Sequence, residues 1–479
     1  MGEETALPPI ETRIPARLDR LPWSRFHLLV ATALGITWVL DGLEVTIVGA
    51  VSATLQDPRT LRLSAEEIGA VASFYLAGAV SGALWFGWLT DRLGRKRIFY
   101  VTLAVYLVGV ALSAFAWDFW SFALFRALTG AGIGGEYAAI NSAIDELMPA
   151  RLRGRIDLII NGSYWLGAAA GAAATLVLLD PALLPVDLGW RLAFGIGSVL
   201  GLAIMGLRRH VPESPRWLVT HGHAAAAEAA VAAIERRTGA PALPPTEPAQ
   251  LVYPRHSFGF AIVARAMLGP YRSRALLALV LMLAQAFLYN ALFFTYGLVL
   301  SRFHGVAAED TGLYLLPLAA GNFLGPLLLG HWFDTIGRRR MIAATYLASA
   351  ALLVLTGWLF AADLLTAATQ TLAWSTIFFF ASAAASAAYL TAGEIFPLET
   401  RALAISCFYA LGTAAGGIVA PWLFGRLIGM GSRWYIFEGY AAAAALMATA
   451  AIVEWRIGVD AERRSLEDIA APLTARRAP

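Results

Sequence analysis

"GWLTDRLGRKR", residues 87–97, sets an aspartate and four basic side chains at the end of an otherwise apolar run, and "GHWFDTIGRRR", residues 330–340, repeats the pattern with an aspartate and three arginines. The surroundings explain why this pattern carries weight. Of 479 residues, 58% are hydrophobic and 14% charged, against roughly 25% charged in soluble domains, and the mean hydropathy is +0.64. Apolar runs of about 20 residues, the length that crosses a bilayer, recur from end to end. They fall near residues 27–50, 67–90, 98–117, 119–141, 156–179 and 190–208, then 273–300, 311–333, 341–361, 364–392, 402–426 and 434–456. Their interiors are rich in Gly and Ala, as in closely packed membrane helices, and lack the two-residue alternation of a membrane barrel. The expected class is an all-α integral membrane protein with about twelve transmembrane helices.

Charge placement orients the spans. Arg92, Arg95, Lys96 and Arg97 follow the second span, Arg151, Arg153 and Arg155 the fourth, and Arg338, Arg339 and Arg340 the eighth. By the positive-inside rule these connections and both termini are cytoplasmic. The expected organisation is a cytoplasmic N-terminal segment (1–26), a six-helix half (27–208), a cytoplasmic linker (209–271), a second six-helix half (272–456) and a cytoplasmic tail (457–479). The polar first segment reads as retained rather than as a cleaved signal. The linker holds a short amphipathic helix in "HAAAAEAAVAAIERR" and a Pro-containing stretch, "ALPPTEPAQLVYP". Net charge is +3 with pI near 9.0, but that charge lies on membrane loops, so no nucleic-acid partner is expected. The partners are a small-molecule solute, protons and the lipid bilayer, and the protein is expected to be a monomer without cofactor.

Several chemistries are excluded. Cys407 is the only cysteine, so intrachain disulfides and cysteine metal sites are impossible. His221 and His223 in "THGHAAAAEAA" read as a solvated loop rather than a metal site. Lys96, the only lysine, follows Arg95, so the Gly-Lys of a Walker A loop cannot occur. The spans hold almost no histidine and no catalytic constellation, so an enzyme is not expected.

The two quoted stretches recur at a near-constant offset, as do "ELMPARLRGR" and "EIFPLETRA", which implies duplicated halves related by an axis along the membrane normal. A positive-inside anchor accounts for the arginines but not for Asp91 and Asp334. Each follows a glycine by four residues at a helix end, placed to accept hydrogen bonds from arginines or from a neighbouring helix N-terminus.

With these motifs in order the chain resembles a major facilitator superfamily transporter of the sugar-porter-like or metabolite:proton symporter branch. The paired loop motif, "RALTGAGIGG" (Arg126, Gly130, Gly132, Gly134), the paired "ELMPARLRGR" and "EIFPLETRA", "PESPRWL" at 212–218 and a worn "AERRSLED" all match. The resemblance implies a proton-coupled secondary transporter in the cell inner (plasma) membrane. It implies a cytoplasmic gate of Asp91, Arg95, Glu146, Arg153, Asp334, Arg338, Glu394 and Arg401, with Asp91 joined to Arg153 and Asp334 to Arg401. It also places Asn161, Gln285, Asn290, Asn322 and Tyr389 at solute-facing positions, with Trp165 as a further aromatic face. The chain departs from the pattern where the paired glutamines become Ala284 and Gln285, where the tenth helix lacks a proline-rich break, and where Thr413 stands for a tryptophan.

The first span, "VLDGLEVTIVG", carries Asp41 and Glu44 three residues apart and so on one face. An ionisable group at mid-membrane costs roughly 2.5 to 3.5 kcal/mol on insertion scales. Arg126 is the expected partner, either structurally or as a coupling device that loads and unloads a proton on Glu44 with Asp41 assisting. Glu136 reads as a third titratable group or, preferentially, as a member of the cytoplasmic network. The solute expected is a sugar, polyol or organic acid, with an aromatic or aliphatic carboxylate and a non-transporting solute sensor as alternatives.

Overall fold

The computed structural model describes residues 8–51, 54–209, 211–240, 249–254, 260–293, 295–306 and 311–473; the proline-containing stretch 241–248 of the linker lies outside them. Twelve helical segments correspond to the expected spans. The first half holds α1 (Arg25–Val51), α2 (Ala65–Leu93), α3 (Arg95–Ser113), α4 (Phe119–Leu147), α5 (Arg153–Gly162 with Tyr164–Leu178) and α6 (Val186–Arg208). The second holds α7 (Arg272–Phe293 with Tyr296–His304), α8 (Thr311–Thr335), α9 (Arg338–Ala361), α10 (Ala367–Glu394), α11 (Arg401–Gly412 and Val419–Gly429) and α12 (Arg433–Ile457).

Among the described residues, ten helices are long and apolar enough to cross a membrane. The remaining two have visible reasons for falling short. α4 is 29 residues long but carries Arg126, Glu136, Asn141, Asp145 and Glu146. α5 is interrupted at Ser163, whose hydroxyl donates to the Ile160 carbonyl at 2.6 Å and the Gly35 carbonyl at 3.0 Å, stitching the break to α1. Large apolar side chains such as Leu124, Leu176, Val199 and Trp422 face outward, the mark of a surface solvated by lipid rather than water.

Each half has its own hydrophobic core. Within the halves α2 packs on α4, α1 on α5, α8 on α10 and α9 on α12; between them α5 meets α8 and α2 meets α11. Close approach within the first half depends on glycine. A Cβ on Gly78 or Gly82 of α2 would lie 2.0 or 2.1 Å from the Ala127 or Ala131 carbonyl of α4, and one on Gly130 or Gly134 of α4 would lie 2.1 or 1.9 Å from the Tyr75 or Ala79 carbonyl of α2. The "GAGIGG" run is therefore half of a reciprocal small-residue seam, in which backbones touch because no side chain intervenes.

The linker and both termini build a cap over the arginine-rich face. Strand Ile10–Thr12 pairs antiparallel with Gln250–Val252, and the amphipathic linker helix appears as Ala224–Thr238. The solvated-loop reading of the histidine pair holds for His223, which is exposed, and is corrected for His221, which is buried and stacks on Trp217 with ring centroids 4.2 Å apart; burial pushes its pKa down to about 4. Gly134→Val is expected to prevent α2 and α4 from closing, lowering the yield of monodisperse detergent-solubilised protein at least several-fold in size-exclusion chromatography, whereas Gly206→Val, with open space around its Cβ, leaves the yield unchanged.

Candidate functional site

A central cavity of about 230 Å³ opens between the halves. It is lined by α1 (Trp38, Val45), α2 (Tyr75, Leu76), α4 (Tyr137), α5 (Asn161, Tyr164, Trp165), α7 (Gln285, Ala286, Tyr289, Asn290), α10 (Ser382, Ala385, Ser386, Tyr389) and α11 (Tyr409, Thr413). Eight of these side chains are aromatic and none is charged. Trp38 stacks on Tyr137 at 4.6 Å with rings 7° from parallel, Tyr409 meets Tyr137 edge-on at 5.1 Å, and Trp165 leans over Tyr289 at 6.0 Å. Trp38 Nε1 is buried without an acceptor among the described residues, leaving a donor for a solute.

Five of the six residues expected to face the solute, Asn161, Trp165, Gln285, Asn290 and Tyr389, line this cavity. Asn322 does not. It is wholly buried behind the lining, donates to the Leu318 carbonyl at 2.9 Å and accepts from the Tyr289 hydroxyl at 2.6 Å. It therefore holds a lining tyrosine and does not itself line the cavity. Asn161 is also tied down, donating to the Asp157 carbonyl at 2.9 Å and Oδ2 at 3.1 Å and to Asn141 Oδ1 at 3.3 Å. The aromatic lining was missed at Trp38, Tyr75, Tyr137, Tyr164, Tyr289 and Tyr409, because aromatic residues inside membrane helices read equally well as core.

Beside the cavity the first half buries two ion pairs. Arg126 of α4 binds Glu44 of α1, and the ring face of the cavity-lining Tyr75 covers its guanidinium at 5.0 Å. Arg208, at the end of α6, binds Glu136 of α4 and donates to Thr37 Oγ1 and the Phe99 carbonyl, each at 2.7 Å. This corrects the expectation for Glu136, whose partner lies inside the half and not in the network of the arginine-rich face. Arg208 itself was missed because it ends a span and reads as an interface anchor. Between the two pairs lies Asp41, wholly buried, with neither carboxylate oxygen meeting a hydrogen-bond donor among the described residues.

Comparison with known proteins places this arrangement. The profile described as "Sugar (and other) transporter" matches residues 35–469. The chain belongs to the sugar (and other) transporter family. The putative metabolite transport protein YyaJ of Bacillus subtilis is 30% identical over 338 residues, covering 69% of this chain and 71% of that one. The niacin transporter NiaP of Acinetobacter baylyi is 30% identical over 228 residues, 48% of this chain, and the match spans about half the length of that relative. Among solved structures, the major facilitator superfamily proton:xylose symporter XylE bound to 6-bromo-6-deoxy-D-glucose superposes with a TM-score of 0.77 at 17% identity, over 93% of this chain and 98% of that one. The fold is that of the major facilitator superfamily.

In this sugar-transporter family member the eight expected gate residues meet in one buried layer at the arginine-rich face, with a pairing that differs from the expected one. Asp91 does not reach Arg153. It pairs with Arg95 at 3.2 Å and accepts the backbone N–H of Ala402 and Leu403, at 3.3 and 2.9 Å, on the first turn of α11 in the other half. Asp334 does not reach Arg401; it pairs with Arg338 at 2.7 Å and accepts the N–H of Gly154 and Arg155, at 3.2 and 2.7 Å, on the first turn of α5. Each aspartate thus caps a helix N-terminus across the interface, where the exposed amides and the helix dipole favour an anion. Arg95 continues to Glu146 at 2.7 Å and Arg338 to Glu394 at 3.0 Å. Arg401 crosses to Glu146 and Arg153 to Glu394, both at 3.4 Å.

The family signatures outside the spans lock this layer to the cap. Glu213 of "PESPRWL" accepts the Arg95 N–H at 3.0 Å, and Glu462 of "AERRSLED" accepts the Arg338 N–H at 3.2 Å. Arg216 bridges Asp19 at 3.0 Å and Glu467 at 2.8 Å and donates to the Glu146 carbonyl at 2.8 Å. Asp91→Asn and Asp334→Asn each remove the charge that two amides and an arginine hold. Each is expected to raise modification of a Ser386→Cys reporter in the cavity (Cys407→Ser background) from the arginine-rich face several-fold, measured with a membrane-impermeant maleimide in oriented vesicles. Equal labelling in the parent protein and both variants would leave the aspartates as anchors only.

Proposed function

We propose that the protein is a secondary active transporter that carries a small planar, ring-containing metabolite by alternating access in symport with protons. The observation that carries the reading is the cavity wall: eight aromatic side chains with amides and hydroxyls at Asn161, Gln285, Asn290, Ser382, Ser386 and Thr413 between them. Aromatic faces prefer flat, polarisable rings, each good pair adding about 0.5 to 1.5 kcal/mol beyond area burial. A cavity near 230 Å³ suits a solute smaller than the drug-sized ligands of roughly 300 to 1,000 Å³ sites. No cation lies among the described lining residues, so a carboxylate solute is taken as its neutral acid or with its proton. The relative named as a niacin transporter handles a solute of this shape. A sugar or polyol is the second reading, favoured by the amides at Asn161, Gln285 and Asn290.

For coupling, the proton is assigned to the Asp41–Glu44 pair. With Glu44 held by Arg126 and Asp41 lacking a donor, Asp41 is the acid that binds the proton in this state, because a buried ionised carboxylate without hydrogen bonds is far costlier than the neutral acid. Trp38, one turn before Asp41 on α1, lines the cavity wall. In this reading the arginine-rich face and both termini are cytoplasmic, the membrane is the cell inner (plasma) membrane, and a single chain forms the whole pathway.

The test is a binding and transport series on purified, reconstituted protein. Isothermal titration with nicotinate, nicotinamide, benzoate, xylose and myo-inositol is expected to give the tightest binding to a ring-flat compound. Tyr389→Ala and Trp165→Ala should each raise its Kd about tenfold, ~1.4 kcal/mol, without loss of folded protein. Tight binding of only xylose or myo-inositol would establish the second reading instead. Asp41→Asn should abolish accumulation driven by an imposed pH gradient while solute exchange continues; accumulation that persists would move the coupling site elsewhere.

A further inference from the structure

Between Asn161 in the cavity wall and the charge layer of the arginine-rich face, two more carboxylates are buried: Asp145 on α4 and Asp157 on α5, both without solvent exposure. Neither belongs to the expected gate. Both oxygens of Asp145 and Oδ1 of Asp157 meet no hydrogen-bond donor among the described residues, and Asp157 Oδ2 has the Asn161 amide at 3.1 Å. Asp145 presses on the other half, since a Cβ on Gly393 of α10 would lie 1.7 Å from its Oδ2.

The groups facing Asp145 are Arg401 of α11, Glu394 of α10, Arg153 of α5 and Glu146 of its own helix. Those facing Asp157 are Asp145, Glu394 and Arg338 of α9. The arginines among them already have partners. Arg338 holds Asp334 and Glu394, Arg153 holds Glu394 and Asp19, and Arg401 holds Glu146. In the layer as a whole Arg95, Arg153, Arg338 and Arg401 balance Asp91, Glu146, Asp334 and Glu394 in number, so it is neutral before Asp145 and Asp157 are counted. Two further ionised carboxylates, close to each other and short of donors, would be an uncompensated buried charge.

We propose that Asp145 and Asp157 form a proton-binding site that holds at least one shared proton while the arginine-rich face is closed, so that this gate senses the pH of its own side. When the halves part, water reaches the carboxyls, the proton passes from a carboxyl oxygen to that water, and Arg153 and Arg401, released from the other half, become counter-ions to the carboxylates left behind. Opening therefore releases a proton, so alkaline pH favours the open gate and acid pH the closed one. The cycle exchanges its proton with one side only and is distinct from the coupling proton on Asp41. Three arginines facing the pair oppose a metal cation as the ligand. The inference rests on the alternating-access reading but not on the identity of the solute or of the coupling acid.

The experiment uses the full chain in lipid nanodiscs without solute. Spin labels on Arg92→Cys at the end of α2 and Ile336→Cys after α8, in a Cys407→Ser background, report the separation of the halves at the arginine-rich face by double electron–electron resonance. The labelled protein is expected to show a single short distance at acid pH and to gain a longer one as pH rises. Asp145→Asn/Asp157→Asn should keep the short distance throughout, while Asp41→Asn keeps the pH response. Single variants Asp145→Asn and Asp157→Asn, checked for the loss of a protonated-carboxyl infrared band present in the native protein, serve if the double variant does not fold. A pH response that survives in the asparagine variants, one lost only in Asp41→Asn, or opening governed by sodium in place of pH would each overturn the proposal. Persistence of pH-driven accumulation in Asp41→Asn, with the distance response intact, would instead count against the coupling role of Asp41 and leave this site standing.

Discussion

Each half of the molecule grips the other through a carboxylate seated on a helix N-terminus, and the closed face depends on this pair of contacts. Asp91 and Asp334 are each held by two backbone amides and one arginine. The glycines four residues earlier have a physical role in the grip. A Cβ on Gly87 would lie 2.0 Å from Ser406 Oγ of α11, and one on Gly330 would lie 3.4 Å from the Arg155 backbone of α5. The α2–α11 contact is thus the tighter of the two. Both contacts are worth most when complete, because buried ions are stable only while every partner is present. Water admitted at one point supplies alternative partners to all the others. A layer of this kind closes and opens as a unit rather than loosening gradually, which fits the alternating access proposed for it.

The division into legible and hidden features follows the same physics. Span positions were legible because hydrocarbon thickness dictates run length; boundaries differ from the helices by a few residues at both ends, and most at the end of α4, which runs on to Leu147 and buries Glu146. The eight gate residues were legible as a set from the duplicated motifs. Their partners were not, since a motif fixes which groups meet in a layer but not which amide or guanidinium each one takes; that depends on how the α5 and α11 N-termini are seated. The cavity was half legible. The family resemblance placed Asn161, Gln285, Asn290 and Tyr389 there, with Trp165 beside them, while the other six aromatic lining residues gave no signal, because tyrosine and tryptophan cost little in a membrane. Arg208 and the Asp145–Asp157 pair were invisible for a third reason. Near the end of a span a charge is cheap, and only the packing of α3, α4, α5 and α10 around them shows that these are buried.

The charges inside the spans are distributed unequally between two halves that otherwise repeat each other. Buried ion pairs outside the arginine-rich layer, Glu44–Arg126 and Glu136–Arg208 with Asp41 beside them, occur in the first half, while the second half contributes Gln285, Tyr289, Asn290, Ser382, Ser386 and Tyr389 to the cavity and keeps Asp334, Arg338, Glu394 and Arg401 at helix ends. On the proposed reading the two halves share a gate and divide the remaining labour. The first stores charge in a setting where protonation changes the balance between neighbouring ion pairs; the second supplies neutral hydrogen-bonding and aromatic surface that is indifferent to protonation. Tyr75 stands at the join, with one face in the cavity and the other over Arg126. A solute that displaces this ring alters the shielding of the guanidinium, and with it the hold on Glu44. On the proposed reading, solute and proton influence each other through this single aromatic ring without touching.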